Sequence, residues 1–426
     1  MEQMWNSILN DANTQWVLLS TLLLGTASGV LGSFALLRKQ SLIGDAVAHA
    51  ALPGICIAFL LVGEKDFIVL LAGAATTGLL AAYCIQFISS YSRIKEDTAI
   101  GLVLSVFFGA GIMLLTKVAQ SPSGNKSGLD SFIFGQAASL VGTDVKIMAF
   151  TALILIGVTF LLFKEFKVST FDPQFAKGIG LPTPLLNLLF ISLLVLTVVI
   201  GIQAVGVIMM AALLITPSIA ARYWTDSLGI MVVVSGLIGA ISGVSGTLIS
   251  TLGKGLSTGP FIVLSATMIF LFSLLFAPER GLVSKWLKRI KNDQIINEKS
   301  LLLKFEQSNQ FGISKEQVLH SSSISVGKAL RYLKGFEQRG WLLNQKGIYR
   351  LTTDGEEVIK QTILLNHMVE LREMYPNELA DVSFPAFEDG KIEKMNNEEA
   401  QTLHQKMLDL QQRYKIQPVV DMKRGG

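Results

Sequence analysis

Long apolar stretches recur through the first two thirds of the chain, and they constrain its fold more than any other feature. Membrane-spanning helices need roughly 20 mostly apolar residues. The stretches of suitable length cover residues 16–37, 42–62, 67–88, 99–117, 145–163, 185–201, 205–221, 228–251 and 259–277. A further stretch at 129–142 is too short to count with them. We therefore predict an all-α polytopic membrane protein with eight or nine transmembrane helices.

Charged residues are scarce in the apolar part and concentrated after it. Only 16% of the 426 residues are Asp, Glu, Lys or Arg, against about 25% in ordinary soluble domains. Residues 1–277 contain 25 of them and residues 278–426 contain 43. We predict a transmembrane domain at residues 1–282, a polar domain at 293–375 and a helical extension at 376–426.

The basic residues of the predicted loops are distributed unequally between the two sides of the membrane. One side holds 13 lysines and arginines, among them Arg38, Lys39 and Arg222, and the other side holds 5. Because short cytoplasmic loops are enriched in Lys and Arg, the first side is predicted to face the cytoplasm. The amino terminus then lies outside the cell, and the polar domain lies in the cytoplasm.

Asp45 and His49 are two ionisable residues inside the second predicted span. Ionisable side chains within a membrane are costly and mark functional sites. Residues four positions apart lie on one face of a helix, and a carboxylate oxygen with an imidazole nitrogen suits manganese, zinc or iron(II). Pro53 and Gly54 disturb the same helix one turn later. Two other interpretations stay open: a purely structural polar pair, and a proton relay in a secondary carrier.

Five blocks of sequence resemble the permease subunits of ATP-binding-cassette importers for manganese, zinc and iron in bacteria. The blocks are SLIGDAVAHAALPGI at 41–55, KEDTAIGLVLSVFFGAGI at 95–112, FDPQFAKGIGLP at 171–182, VGVIMMAALLITPSIAAR at 205–222 and STGPFIVLSATMIFLFSLLFAPERGL at 257–282. They occur in the family's order and in the same positions relative to the spans. The resemblance implies a multi-pass permease of the bacterial cell membrane.

The resemblance also implies roles for two groups of residues. Asp45 and His49 match the family's Asp and His that line the metal path and coordinate the ion. The residues that match the cytoplasmic loop docking on the ATPase are Asp172, Pro173, Phe175 and Ala176. By this resemblance, the chain has candidate residues for both the metal site and the ATPase contact.

The partners and the cargo follow from the same resemblance. A second permease subunit, identical or different, two cytoplasmic ATP-binding subunits and an extracellular metal-binding lipoprotein complete such a system. The cargo is a divalent transition metal, with manganese ranked ahead of zinc and iron. No permanently bound cofactor is expected.

The chain is expected to be a transport subunit and not an enzyme. A run that approaches a phosphate-binding loop, Gly253-Lys254, is followed by Gly255 instead of Ser or Thr, and Leu248 stands where the first glycine belongs. Phosphate-binding loops need the glycines, the lysine and the hydroxyl together. ATP hydrolysis must therefore take place on a separate chain.

The polar domain is predicted to be a small α+β domain. Apolar spacing predicts helices at 296–305, 313–319 and 326–339, followed by two short strands around Gly347. Thr352 is a candidate N-cap of another helix. Three helices and a hairpin resemble a winged helix-turn-helix, and residues 351–375 resemble part of the bacterial iron- and manganese-dependent repressors.

Two functions of this domain stay open. In the first, Lys328, Arg331 and Lys334 bind DNA. However, the chain after position 277 has 23 basic and 20 acidic residues. This net positive charge is too small for strong electrostatic attraction to DNA, so nucleic acid is not an expected partner. In the second, which we favour, the domain dimerises or senses cytoplasmic metal and regulates transport. The candidate metal ligands are His367, Glu370, His404, Glu388 and Asp389.

Two alternatives to the importer permease complete the predictions. The first is a proton-coupled secondary metal carrier that uses Asp45 and His49 as its relay. The second is a membrane-tethered, metal-responsive regulator whose polar domain performs the function. Neighbouring genes for an ATPase and a metal-binding protein would favour the permease over the carrier, and salt-dependent DNA binding by the polar domain would favour the regulator.

Overall fold

The computed structural model describes residues 12–63, 66–120, 135, 142–252, 256–306, 313–314, 316–318, 324–360, 362–363, 387–388 and 391–392. The chain divides into two compact units, residues 1–286 and residues 287–426. The first unit contains the apolar stretches, and the second contains most of the polar residues that follow them.

The first unit is helical throughout its described secondary structure. In chain order its helices are α1 (Ala12–Leu37), α2 (Ser41–Val62), α3 (Phe67–Tyr91), α4 (Glu96–Gln120), α5 (Gly142–Leu161), α6 (Phe163–Phe171), α7 (Pro173–Gly178), α8 (Thr183–Val205), α9 (Val207–Trp224), α10 (Leu228–Thr251) and α11 (Thr258–Phe276). Except for α6 and α7, each is long and apolar enough to cross a membrane, which gives nine candidate spans within the described residues. The predicted polytopic helical fold is confirmed. Of the short stretch at 129–142, the structure describes only Gly135 and Gly142.

Helices α1 and α10 pack closely along a seam of small residues. A Cβ atom at Gly25 would collide with the backbone carbonyl of Gly239. One turn further along α1, the carbonyl oxygen of Gly29 accepts hydrogen bonds from the hydroxyls of Ser235 at 2.8 Å and Ser218 at 3.3 Å. Small residues and hydroxyl groups hold helices together in lipid, where apolar contact with a neighbouring helix offers little advantage over contact with lipid.

Helix α2 lies in the interior of the bundle, packed against α3, α4, α8 and α9. Most of its residues are buried, including the run from Ala50 to Cys56. The approach to α3 is close, because a Cβ at Gly54 would collide with the carbonyl oxygen of Gly73. The bundle therefore fixes the position and rotation of the helix that carries Asp45 and His49.

The second unit is a small α+β structure in its described part. Its elements are the greater part of α12 (Leu282–Glu306), followed by β1 (Ile313–Ser314), α13 (Val326–Gln338), β2 (Leu342–Gln345) and β3 (Ile348–Leu351). The antiparallel sheet has the strand order β1-β3-β2, and a separate hairpin joins β4 (Phe387–Glu388) to β5 (Lys391–Ile392). Side chains from α12, α13 and the sheet share one apolar core.

Local sequence explains most of this unit. Lys346 and Gly347 adopt positive φ angles of 52° and 85°, as a two-residue hairpin turn requires. Thr352 Oγ1 accepts a hydrogen bond from the Gly355 backbone N–H at 3.1 Å, so the predicted N-cap is confirmed. The predicted helix at 313–319 is wrong at its start, because Ile313 and Ser314 form β1. Ile313 pairs with Tyr349 across the sheet, where its side chain is buried.

Candidate functional site

Asp45 and His49 lie one turn apart on α2 and face each other. His49 Nε2 is 3.5 Å from Asp45 Oδ1, longer than the 2.7–3.2 Å of an ordinary N–H···O hydrogen bond. The two side chains keep 19% (His49) and 35% (Asp45) of their surface accessible, whereas Ala46, Val47 and Ala48 between them are buried. The pair therefore keeps part of its surface accessible on a helix that is mostly buried.

The polar groups of His49 are incompletely satisfied. Its Nδ1 atom is buried and has no hydrogen-bond partner within the described residues. The Phe108 ring of α4 stands edge-on to the imidazole, with ring centroids 4.9 Å apart. Pro53 has no N–H, so the backbone carbonyl of His49 lacks the donor that an α-helix normally supplies four residues later. The long contact and the unpartnered nitrogen argue against a self-sufficient structural pair.

The described residues of the chain contain no group of three or more His, Cys, Asp or Glu side chains that could hold a metal ion. Asp45 and His49 thus offer two donors from one chain. Among the predicted ligands of the polar domain, His367, Glu370, His404 and Asp389 lie outside the described residues, and of Glu388 only the backbone, in β4, is described.

The predicted docking residues form a compact turn of helix between α6 and α8. Asp172 is the N-cap of α7, and its Oδ1 accepts a hydrogen bond from the Phe175 backbone N–H at 2.8 Å. Pro173 occupies the first turn, where a missing N–H costs nothing. Ala176 is fully buried and anchors the turn, whereas the ring of Phe175 is exposed. Asp172, Pro173 and Ala176 therefore build the segment, and Phe175 provides surface.

Two neighbouring apolar side chains extend this surface. Phe171 and Ile179 flank α7 in sequence and, like Phe175, are exposed. Sequence reasoning identified neither as part of a site, although both lie inside the quoted FDPQFAKGIGLP block or at its edge. Exposed aromatic and aliphatic side chains at the end of a helical bundle suit a protein contact.

Arg38, directly after α1, contacts α6, the helix that precedes the predicted docking residues. Its Nε donates a hydrogen bond to Thr170 Oγ1 of α6 at 3.0 Å, and Nη1 donates to Asn187 Oδ1 of α8 at 3.3 Å. The guanidinium also lies over the Phe190 ring, 4.3 Å from its centroid. Burial lowers the pKa of the Arg38 guanidinium to about 10, so the group remains a cation at neutral pH.

These contacts connect α6 with the turn that leads to the helix carrying Asp45 and His49. Arg38 is three residues before Ser41, the first residue of α2, and Lys39 makes the turn with a positive φ of 61°. The loop between α1 and α2 thus lies at the same end of the bundle as α6 and α7, in agreement with the side that the basic residues predicted. The sequence does not predict these contacts of Arg38, because Thr170 and Asn187 are far away along the chain.

The three basic residues that sequence analysis considered for DNA binding lie on α13. Lys328, Arg331 and Lys334 are exposed and follow one another at intervals of three residues, which places them on one side of the helix. The opposite side of α13 buries Ala329, Leu333 and Phe336 in the core of the unit. The arrangement is that of an ordinary amphipathic helix with a solvated basic face.

Comparison with known proteins gives matches over both units. The model of the ABC 3 transport family matches residues 10–277. The manganese transport system membrane protein MntC of Bacillus subtilis (strain 168) is 50% identical over 385 residues, which cover 89% of this chain and 88% of that protein. Because the first unit has 286 residues, this match includes much of the second unit as well.

Two further matches cover about two thirds of the chain. The zinc transport system membrane protein TroC of Treponema pallidum (strain Nichols) is 47% identical over 284 residues, covering 66% of this chain and 95% of that protein. A solved structure, PsaBC from Streptococcus pneumoniae in complex with Fab, is similar with a TM-score of 0.59 and 33% identity, covering 67% of this chain and 98% of that one. Because these matches cover 95% of TroC and 98% of the PsaBC chain, neither protein has room for a further unit the size of residues 287–426.

Proposed function

Because the chain belongs to the ABC 3 transport family, we propose that it is the permease subunit of an ATP-driven importer of divalent transition metal ions, with manganese as its cargo. The observation that carries this proposal is the Asp45–His49 pair, whose carboxylate oxygen and imidazole nitrogen face each other on a helix in the interior of the bundle. The names of the relatives support a transition metal and favour manganese, since MntC, which matches 89% of this chain, is named for manganese, whereas TroC, which matches 66%, is named for zinc.

The chemistry of the pair suits such a cargo. A carboxylate oxygen and an imidazole nitrogen bind manganese(II), zinc(II) and iron(II). His49 Nδ1 has no competing partner within the described residues, and the 3.5 Å gap to Asp45 leaves both donors available to an ion. Transport also requires release of the ion, which weak binding by few protein donors permits.

A second permease subunit would complete the coordination. Manganese favours six ligand atoms in octahedral geometry. Asp45 and His49 supply two, and the described residues of the chain contain no larger group of His, Cys, Asp or Glu. A second copy, or a related permease, that places its own α2 against the same path would add an equivalent pair. Water molecules would fill the remaining positions, as is usual for a partly hydrated ion in transit.

ATP hydrolysis would reach this site through the docking segment. The exposed ring of Phe175, with Phe171 and Ile179 beside it, offers apolar surface to a cytoplasmic ATP-binding subunit. Movement of α7 is passed to α6, and Arg38 joins α6 to the turn from which α2 begins. Arg38 thus acts as a positioning residue between the ATPase contact and the metal pair.

Residues 293–375 are proposed to be a cytoplasmic regulatory or dimerising domain of winged-helix type, with residues 1–282 as the permease domain. The three-stranded antiparallel sheet and the amphipathic α13 support this assignment. Residues 376–426 form an extension that the sequence predicts to be helical, but its described residues are the strands β4 and β5, which pair with each other. His367, Glu370 and His404 remain the proposed metal ligands of the second unit. An extracellular metal-binding lipoprotein would deliver the ion to the opposite face of the permease.

Uptake measurements test this proposal. Vesicles containing the permease and its ATPase should accumulate manganese when ATP is supplied. A protonophore should not inhibit this uptake, whereas it would inhibit uptake by a proton-coupled carrier. Asp45→Asn should abolish uptake. Asp66→Asn is the matched control, because Asp66 is exposed, caps α3 through the Ile68 N–H, and can be replaced in that role by Asn. Full uptake by Asp45→Asn would overturn the assignment.

A further inference from the structure

A cationic groove lies at the same end of the first unit as Arg38. It has a volume of about 610 Å³ and is bounded by the end of α1, the end of α9 and the segment that joins α11 to α12. Four basic residues line it: Lys39, Arg222, Arg280 and Lys285. They come from three separate parts of the sequence, so the fold alone brings their charges together.

The groove has a net positive charge. Asp226 forms ion pairs with Arg222, at 3.4 Å, and with Arg280. Within the described residues, no carboxylate lies at ion-pair distance from Lys39 or Lys285. Four cations against one carboxylate leave the groove without enough negative charge of its own, which favours binding of an anion.

One wall of the groove is apolar. Leu36, Leu37 and Ile219 belong to spanning helices and line the groove beside the cations. A small hydrated anion or an acidic peptide needs no such wall, whereas a phospholipid has both a charged head group and hydrocarbon chains. The combination of cations with an apolar wall therefore favours a phospholipid over a small anion or an acidic peptide.

The surroundings of the groove have the features of a membrane boundary. Trp224, at the end of α9, is partly exposed and donates a hydrogen bond from Nε1 to Ser273 Oγ at 2.9 Å. Tryptophan is enriched where spanning helices leave the hydrocarbon region. Leu282, Val283 and Trp286 are exposed in the first turns of α12, where Lys285 is also found. This mixture is typical of a helix that lies in the membrane surface.

We propose that this groove binds the phosphate group of an anionic phospholipid from the cytoplasmic leaflet, with Lys39 and Lys285 as the principal phosphate contacts. The acyl chains would follow Leu36 and Ile219 into the bilayer. Basic pockets between spanning helices on the cytoplasmic side bind anionic head groups in other membrane proteins. The proposal rests on the proposed function in one respect, the cytoplasmic location of this end of the permease. Because lipid binding is measured separately from metal uptake, the lipid site and the transport function can each fail without the other.

Native mass spectrometry of the full chain, purified in mild detergent, tests the proposal with phosphatidylglycerol and phosphatidylcholine of identical acyl chains. The double variant Lys39→Gln, Lys285→Gln removes two charges and leaves both ion pairs of Asp226 intact. The matched control is Arg93→Gln, Lys95→Gln, which removes two exposed charges at the predicted cytoplasmic side, outside the groove.

The unaltered chain and the control should retain phosphatidylglycerol in preference to phosphatidylcholine, and the groove variant should bind phosphatidylglycerol about tenfold more weakly or worse. Equal retention by the groove variant and the control would overturn the proposal. Displacement of the lipid by millimolar inorganic phosphate would also overturn it, in favour of a soluble anion. Loss of ATPase binding with unchanged lipid retention would identify the groove as a protein contact instead.

Discussion

Replacing Arg38 with methionine tests whether the proposed docking segment and the helix that carries Asp45 and His49 work together. Methionine keeps an apolar stem next to Phe190 but removes the hydrogen bonds to Thr170 at 3.0 Å and Asn187 at 3.3 Å. Each hydrogen bond from a charged group contributes about 1.5–3 kcal/mol. The buried cation disappears with them, and one of its nitrogens, Nη2, had no partner within the described residues. The fold should therefore lose little stability.

Uptake should fall much more than stability. If one of these hydrogen bonds is required only in the step that moves the ion, its loss slows that step about 10- to 150-fold. ATP hydrolysis should change much less, because the surface of α7 and the exposed ring of Phe175 are untouched. Manganese uptake and ATP hydrolysis are measured together in the same proteoliposomes, so that their ratio reports the coupling.

Two companion variants make the result specific. Arg93→Met removes an exposed arginine at the predicted cytoplasmic side and should leave the ratio unchanged. Arg38→Lys keeps the charge, but one ammonium cannot reproduce the planar fork that reaches both Thr170 and Asn187, so coupling should still fall. Unchanged uptake by Arg38→Met would refute the reasoning. So would a parallel loss of uptake, hydrolysis and membrane-inserted protein, since that pattern indicates a structural role.

Other predictions concern packing in the two units. Gly25→Leu should prevent the approach of α1 to α10 and abolish a monodisperse peak in size-exclusion chromatography, whereas Gly101→Leu, where a side chain meets open space, should not; equal behaviour of the two would contradict the seam. Leu333→Ala should destabilise the second unit by about 2–5 kcal/mol, because Leu333 is fully buried. It should speed proteolysis of that unit in the full chain, and the same change at exposed Leu343 is the control. Similar digestion rates for these two variants would contradict the core assignment.

Sequence reasoning identified the spans and the pair because both depend on local patterns. Hydropathy measures the cost of placing backbone and side chains in lipid, and this cost is a property of each stretch by itself. Asp45 and His49 stand out for the same reason, since ionisable residues are conspicuous inside an apolar span. The count of nine candidate spans among the described residues agrees with the upper of the two predicted numbers.

Features that depend on distant contacts could not be predicted in this way. Arg38 was recognised only as a basic loop residue, because nothing in its neighbourhood in sequence indicates Thr170 as its partner. The cationic groove likewise combines residues from three regions. Ile313 and Ser314 were assigned to a helix from apolar spacing, but pairing with β3 determined their conformation. In each case tertiary packing overrode or extended the local pattern.

The most direct test of the central claim is pulsed electron paramagnetic resonance of manganese bound to the permease in nanodiscs. The chain has 4 histidines, so replacing His320, His367 and His404 with Gln leaves His49 as the sole imidazole. Nitrogen coupling to the bound manganese is predicted in this variant, and it should vanish when His49→Gln is added. Bound manganese without nitrogen coupling, or coupling that survives His49→Gln, would contradict the assignment of His49 and, with it, of the Asp45–His49 pair as the transport site.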